Sequence, residues 1–233
     1  MRLKTSSIIF GLAGILFLVF AVLFGFTVVS IEEAESTVIN EAFNPVAFVD
    51  DIWESQLMPA FNNNSVDLSR ILSEIETDAN GLTSKDDLIA ITEMYGLITV
   101  GEAHVYMVKG TGTIISVDVE TSLGTAKLQL DGYDGPIDVL LYIGTRIPSD
   151  DTSVRDAVGF ISFGDFKEQT EYGKAATEIN KRVLSTVLFN IDKENLVGKN
   201  ITFKGAYTIR TFNLLNIDLS EVNIVPVELN IGD

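Results

Sequence analysis

Ile201-Thr202-Phe203-Lys204-Gly205-Ala206-Tyr207-Thr208-Ile209 alternates apolar and polar side chains about a central Gly. A period of two sends alternate residues to opposite faces, so this stretch reads as a half-buried strand. What flanks it decides the fold. Upstream the period becomes helical, with Ala176, Ile179, Val183 and Val187 on one side, and Asp165 with Glu168 spaced to cap the start. Further upstream, residues 97–143 are rich in Val, Ile, Thr and Tyr and broken by Gly. They divide into Val105–Val108, Thr113–Val117, Ala126–Leu130 and Val139–Ile143, three or four strands in a meander. Downstream, Ile217–Leu219 and Ile224–Leu229 close the chain. Three strands, a helix and two more strands is the order of an OB-like five-stranded β-barrel with a helix between strands 3 and 4. The fold class is therefore α+β, and a general α+β sandwich of the same elements is the alternative.

A short helical segment, residues 44–96, precedes the OB-like domain assigned to 97–233. Asn44-Pro45 reads as an N-cap followed by Pro at the first helical position. Val46, Val49, Ile52, Trp53 and Leu57 follow at helical spacing until Pro59, and Asn62–Ser65 reads as a loop. A second helix carries Leu68, Ile71, Leu72 and Ile75. A third starts at Ser84, with Asp87 at capping-box spacing, and carries Leu88, Ile91 and Tyr95.

The chain start has a different character. Ile8–Val29 is a run of 22 residues without a charge. As a helix it would span roughly 33 Å, the thickness of a bilayer's hydrocarbon core. Arg2 and Lys4 precede it and Glu32, Glu33 and Glu35 follow. The positive-inside tendency then makes 1–7 cytoplasmic, 8–29 a transmembrane signal anchor and 30–43 a tether, with everything beyond outside the cytoplasm. The expected location is a bacterial cell membrane, crossed once.

Charge and composition exclude several functions. The chain has 16 Lys+Arg against 33 Asp+Glu, a net −17. Arg2 and Lys4 are the only charges in residues 1–30, so the remainder carries −19. Such an excess of acid argues against nucleic acid, whose phosphates need clustered Lys and Arg. With no Cys and one His, there is no disulfide framework, thiolate site or multi-His metal centre in these residues. No phosphate loop, dinucleotide fingerprint or nucleophile elbow is present. Metal and cofactor are both expected to be none.

Two blocks carry a family resemblance. Phe43-Asn44-Pro45-Val46-Ala47-Phe48-Val49-Asp50-Asp51-Ile52-Trp53 resembles the opening motif of the DUF2291 predicted periplasmic lipoproteins, also grouped as TM0957-like. Residues 155–169 resemble that family's Arg-Asp-Ala, Phe-Ile-x-Phe and Asp-Phe-x-x-Gln run. Tyr95-Gly96, Gly198-Lys199 and Gly205-Ala206 also fit, so the likeness covers roughly 43–229. Two departures stand out. A transmembrane run replaces the lipidated Cys usual in the family, and Asp151-Thr152 stands where Gly-Thr is expected. The resemblance implies an exported, membrane-tethered domain without an established molecular function. Its relatives' occurrence beside sugar ABC-transporter genes implies an accessory role in uptake.

Four residues are candidates for ligand binding. Arg155 and Asp156 lie in the polar stretch Ser149–Asp156, where a guanidinium fork can hold a carboxylate or sugar hydroxyls. The structural alternative is that Arg155 pairs with Asp156 or Asp165 and fixes the loop. Asp165 and Gln169, one helical turn apart, share a side, though Asp165 also serves as an N-cap. His104 with Glu102 makes a weaker acid/base pair, and a structural His is the simpler reading. Trp53 reads as a core anchor. Phe160, Phe163 and Phe166 read as burying the open end of the barrel, and Gly110-Thr111-Gly112 as a bulge or turn. Adjacent Asp50-Asp51 and Asp86-Asp87 point apart on helices, and Asp131, Asp134 and Asp138 fail the EF-hand pattern.

These features predict a membrane-anchored extracytoplasmic protein that is not an enzyme. It would be an accessory or binding component whose partners are the membrane through 8–29 and ABC-transporter subunits or a saccharide. The alternatives are an envelope adapter that binds only protein, and a hydrolase using paired carboxylates.

Overall fold

Asn44 caps the first described helix, its Oδ1 accepting the N–H groups of Val46 and Ala47 at 3.1 Å each. The structure is a computed structural model that describes residues 42–99 and 101–232. The cytoplasmic end 1–7, the anchor 8–29 and nearly all of the tether lie outside those residues. Among the described residues no helix is long and apolar enough to cross a membrane. Asn44–Asp233 forms one compact unit.

Helix α1 (Pro45–Ile52) passes through a wide π-helical turn, Trp53–Leu57, into α2 (Met58–Asn64). Pro59 was expected to end the helix and Asn62–Ser65 to form a loop, and both expectations are corrected. The π turn resets the hydrogen-bond register, with Met58 N–H donating to Trp53 O. Pro59 then falls in the first turn of α2, where a missing N–H costs little. Asn62–Asn64 form the last turn. β1 (Val66–Asp67), α3 (Leu68–Glu74), β2 (Leu82–Ser84) and α4 (Lys85–Tyr95) follow. Ser84 caps α4 as expected, accepting the Asp87 N–H at 3.1 Å.

The remaining strands are β3 (Leu97–Ile98), β4 (Ala103–Asp118), β5 (Thr125–Leu130), β6 (Asp138–Tyr142), β7 (Asn200–Arg210), β8 (Asn216–Asp218) and β9 (Glu221–Ile231). Between β6 and β7 lie α5 (Ser153–Ala157) and α6 (Gln169–Val183). The main sheet has seven strands rather than five, because β1 and β3 add to β4. Its five long strands pair in a closed cycle, β4–β5–β6–β9–β7 and back to β4, with only β6–β9 parallel. β2 and β8 form a separate pair.

Gly110 and Gly112 do not break β4, which runs unbroken for 16 residues. The irregularity sits at Ile114/Ser116. There Gly198, at φ +84°, donates its N–H to Ile114 O, while Ile114 N–H donates to Lys199 O. The Gly198-Lys199 motif thus hooks the start of β7 onto the β4 bulge, in a conformation that favours Gly. A second shift, at Lys204/Gly205, faces Pro226 of β9. A Cβ on Gly205 would lie 2.5 Å from Val225 O, so the two backbones approach closely there. Pro226 lacks a ladder donor and is tolerated at such an irregularity.

Period two divides the core. Tyr106, Val108, Phe203, Tyr207, Ile209, Val222 and Ile224 point into one cluster, which α3 and α4 share through Leu68, Ile71, Leu72 and Leu88. Val105, Met107, Ala206, Val225 and Val227 point to the other side. They pack there beneath α1, α2, α5 and α6, where Trp53 is buried as expected.

Candidate functional site

Arg155 and Asp156, expected in a polar loop, lie instead in α5, where Arg155 is only 6% exposed. Its Nε lies 2.8 Å and its Nη2 2.7 Å from the same oxygen, Oδ1 of Asp156. Nη1 donates to the Tyr172 carbonyl at 3.0 Å, and the guanidinium carbon sits 3.5 Å above the Tyr172 ring. Asp156 also accepts from Tyr172 Oη at 3.1 Å and, on its other oxygen, from Thr152 Oγ1 at 2.6 Å. This network ties α5 to α6. The structure therefore brings Arg155 and Asp156 together, with both groups bonded inward.

Asp165 and Gln169 do not join them, and the expectation that they share a helix face is corrected. Asp165 ends a separate 3₁₀ turn, Phe163–Asp165, where its carboxylate accepts the Ser162 N–H at 2.8 Å. Extended backbone at Phe166 and Glu168 separates that turn from α6, which begins at Gln169. Both side chains are exposed. Asp165 caps, as its alternative reading held, but it caps the short turn. The phenylalanines also differ from expectation. Ile161 takes the buried position, while Phe160 and Phe163 are exposed and Phe163 meets Tyr172 edge-on. Phe166 packs edge-on against Phe48.

His104 is buried, and its Nδ1 lies 2.6 Å from Thr92 Oγ1, which in turn bonds Tyr106 Oη at 2.5 Å. Burial pushes its imidazole below its ordinary value. Glu102 does not pair with it. It sits before β4 at φ 57° and forms an ion pair with Lys85 at 2.5 Å. The other carboxylates of interest are also engaged: Asp50 with Arg182, Asp87 with Ser84 and Asp138 with Lys127.

A different place has open hydrogen-bonding capacity. Ala206 opposite Val225 is the last rung of the β7–β9 ladder. Beyond it, Tyr207–Arg210 keep β4 and Glu221–Ile224 keep β6, but the two segments have no partner in one another. The sheet splits there, leaving a cleft of about 230 Å³. Tyr142, Asp151, Thr208, Arg210, Asp218, Glu221 and Asn223 are its polar lining, with Tyr207 and Ile217 among the deeper residues.

Asp151 reaches this cleft from the loop before α5. Its Oδ1 accepts the Ser153 N–H and hydroxyl, and its carbonyl accepts from Asn180 Nδ2. Burial nevertheless pushes its carboxyl above the ordinary value. Tyr142 is pushed up to about 12 by burial and by the charges of Asp151, Glu221 and Asp150. Two of the three buried hydroxyls without a partner among the described residues belong to lining residues, Tyr207 Oη and Thr208 Oγ1. The carboxylates do not form a metal-holding group: no set of three His, Asp or Glu among the described residues does so. Sequence reading missed this site because its residues come from four strands and two loops. The only local signal was Asp151, which breaks the expected Gly-Thr step.

A family model described as a predicted periplasmic lipoprotein (DUF2291) matches residues 16–230. The crystal structure of an OB-fold protein from Thermotoga maritima, TM0957, is similar in fold, with a TM-score of 0.60 and 17% identity. The match covers 82% of this chain and 100% of that one. No curated protein matches the chain.

Proposed function

This chain belongs to the DUF2291 family of predicted periplasmic lipoproteins, and on that premise we propose that it is a membrane-anchored extracytoplasmic accessory or binding protein, not an enzyme, that serves a sugar ABC transporter. The anchor in this reading is the apolar run 8–29, since no Cys is present to carry a lipid. The observation that carries the reading is how the polar groups are used. His104, Arg155 and Asp156 satisfy one another or their structural neighbours, whereas the split between β7 and β9 leaves polar groups open to a partner. That arrangement suits holding a molecule.

The test is purification of the tagged full chain from detergent-solubilised native membranes. Transporter subunits are expected to come with it, and a sugar is expected to raise its melting temperature. Recovery of no transporter subunit together with no sugar-induced shift would sink the proposal. Another envelope protein in their place would favour the adapter reading. One observation favours the hydrolase: Asp151, with a raised carboxyl, lines the same cleft as Glu221. It requires turnover of a chromogenic glycoside that Asp151→Asn abolishes.

A further inference from the structure

We propose that the cleft between β7 and β9 binds a small organic cation, a protonated amine with hydrogen-bonding groups of its own. The assignment deepens the reading of the domain as a binding component and needs no transporter partner.

Charge is the first argument. Asp151, Asp218 and Glu221 line the cleft against one cation, Arg210. Arg210 is already engaged at the rim, where its Nη2 donates to the Asp150 carbonyl at 2.7 Å and lies 3.6 Å from that residue's carboxylate. Three carboxylates against one arginine leave the lining with an excess of negative charge, although Arg210 acts on both Asp151 and Tyr142. Two groups on different elements respond to this environment. The Asp151 carboxyl is pushed up by burial, although Ser153 bonds it, and the Tyr142 hydroxyl is pushed up by burial and by three nearby carboxylates. An anion would be repelled. A divalent cation would need several carboxylates converging on one point, and no such group exists among the described residues.

Hydrogen bonding is the second argument. A buried hydroxyl left without a partner costs about 1–3 kcal/mol. The buried Thr208 hydroxyl lacks a partner; that of Tyr207 lacks one too, but its ring stacks on Tyr106 in the inner cluster, on the strand face opposite Thr208. An ammonium donates three hydrogen bonds and accepts none, so it suits hydroxyl and carboxylate oxygens together. Tyr142, an aromatic residue, also lines the cleft, and aromatic faces attract cations. At about 230 Å³ the cleft holds several water volumes of about 30 Å³ each, room for a small ligand.

The experiment is titration calorimetry of the full chain in detergent, at pH 7 and low ionic strength, with glucosamine, glucose and putrescine. Glucosamine and glucose differ chiefly in the ammonium. We expect glucosamine to bind at least about tenfold more tightly than glucose, a difference of roughly 1.4 kcal/mol. Putrescine is expected to compete with it. The double variant Asp218→Asn/Glu221→Gln, at two exposed positions, is expected to erase the preference and leave the melting temperature nearly unchanged. Equal binding of glucosamine and glucose overturns the cation site while leaving the saccharide reading intact. No heat from either amine at millimolar concentration overturns it as well, since the cleft would then hold water alone. An undiminished preference in the double variant places the amine elsewhere and also overturns it.

Discussion

The buried network around Arg155 and the cleft between β7 and β9 are both polar, and both are reached from the loop that precedes α5. They differ in how fully their bonds are used. Asp156 takes hydrogen bonds on both carboxylate oxygens, and its Arg155 partner also bonds a carbonyl and covers a ring. The cleft instead sets three carboxylates against one cation, Arg210, and its lining residues carry two hydroxyls with no partner. The first is the more conspicuous in sequence, and its geometry is that of a joint between α5 and α6. A motif in a polar stretch therefore identifies what fixes the fold as readily as what meets a ligand. Open hydrogen-bonding capacity tells the two apart.

The contrast can be broken most forcefully at Arg155. Arg155→Ala leaves Asp156 buried without its cation, which typically costs about 3–5 kcal/mol. Denaturant unfolding of the full chain in detergent should show a loss of that size. Arg155→Lys should recover only part of it, because an ammonium lacks the planar guanidinium that stacks on Tyr172.

A smaller test compares two tyrosines stacked with ring centroids 4.8 Å apart. Tyr106→Phe loses the bond to Thr92 and should cost about 1 kcal/mol, whereas Tyr207→Phe removes a hydroxyl with no partner and should be neutral or slightly stabilising. An equal cost at both positions would mean that Tyr207 is bonded after all.

His104 gives a pH test of the satisfied interior. Burial holds it neutral in the fold, with its proton affinity below the ordinary value of 6.5. As pH falls below about 6.5 the unfolded chain takes up a proton that the native chain does not, so stability is lost on acidification. The loss between pH 6.5 and 5 should be smaller in His104→Gln. The mildest change is Asp165→Asn, which keeps an acceptor for the Ser162 amide at an exposed turn. It should shift stability by no more than about 0.5 kcal/mol.

Much of the fold could be read from local pattern. Period two in residues 201–209 assigned Phe203, Tyr207 and Ile209 to one face, and the structure buries all three in one cluster. Asn44 and Ser84 marked helix starts because a side-chain oxygen beside orphan N–H groups has a local purpose. Departures came where distant residues decide. The π turn that carries Pro59 onward depends on a change of hydrogen-bond register that hydrophobic spacing does not encode. Asp165 was expected to cap α6, but an extended Phe166 packed against Phe48 separates the two. Of the expected site, Arg155 and Asp156 are adjacent in sequence and remain paired in space. The cleft was invisible because it arises where β7 and β9 part beyond Ala206 and Val225, residues whose separation no motif records.

The most direct measurement of the contrast is glucosamine titration of three forms of the full chain in detergent. These are the unaltered chain, Asp218→Asn/Glu221→Gln in the cleft and Asp165→Asn/Gln169→Ala beside the Arg155 network. Binding is expected in the first, to weaken at least about tenfold in the second and to persist in the third. Persistence in the second with loss in the third would contradict the assignment and return the site to the residues around Arg155.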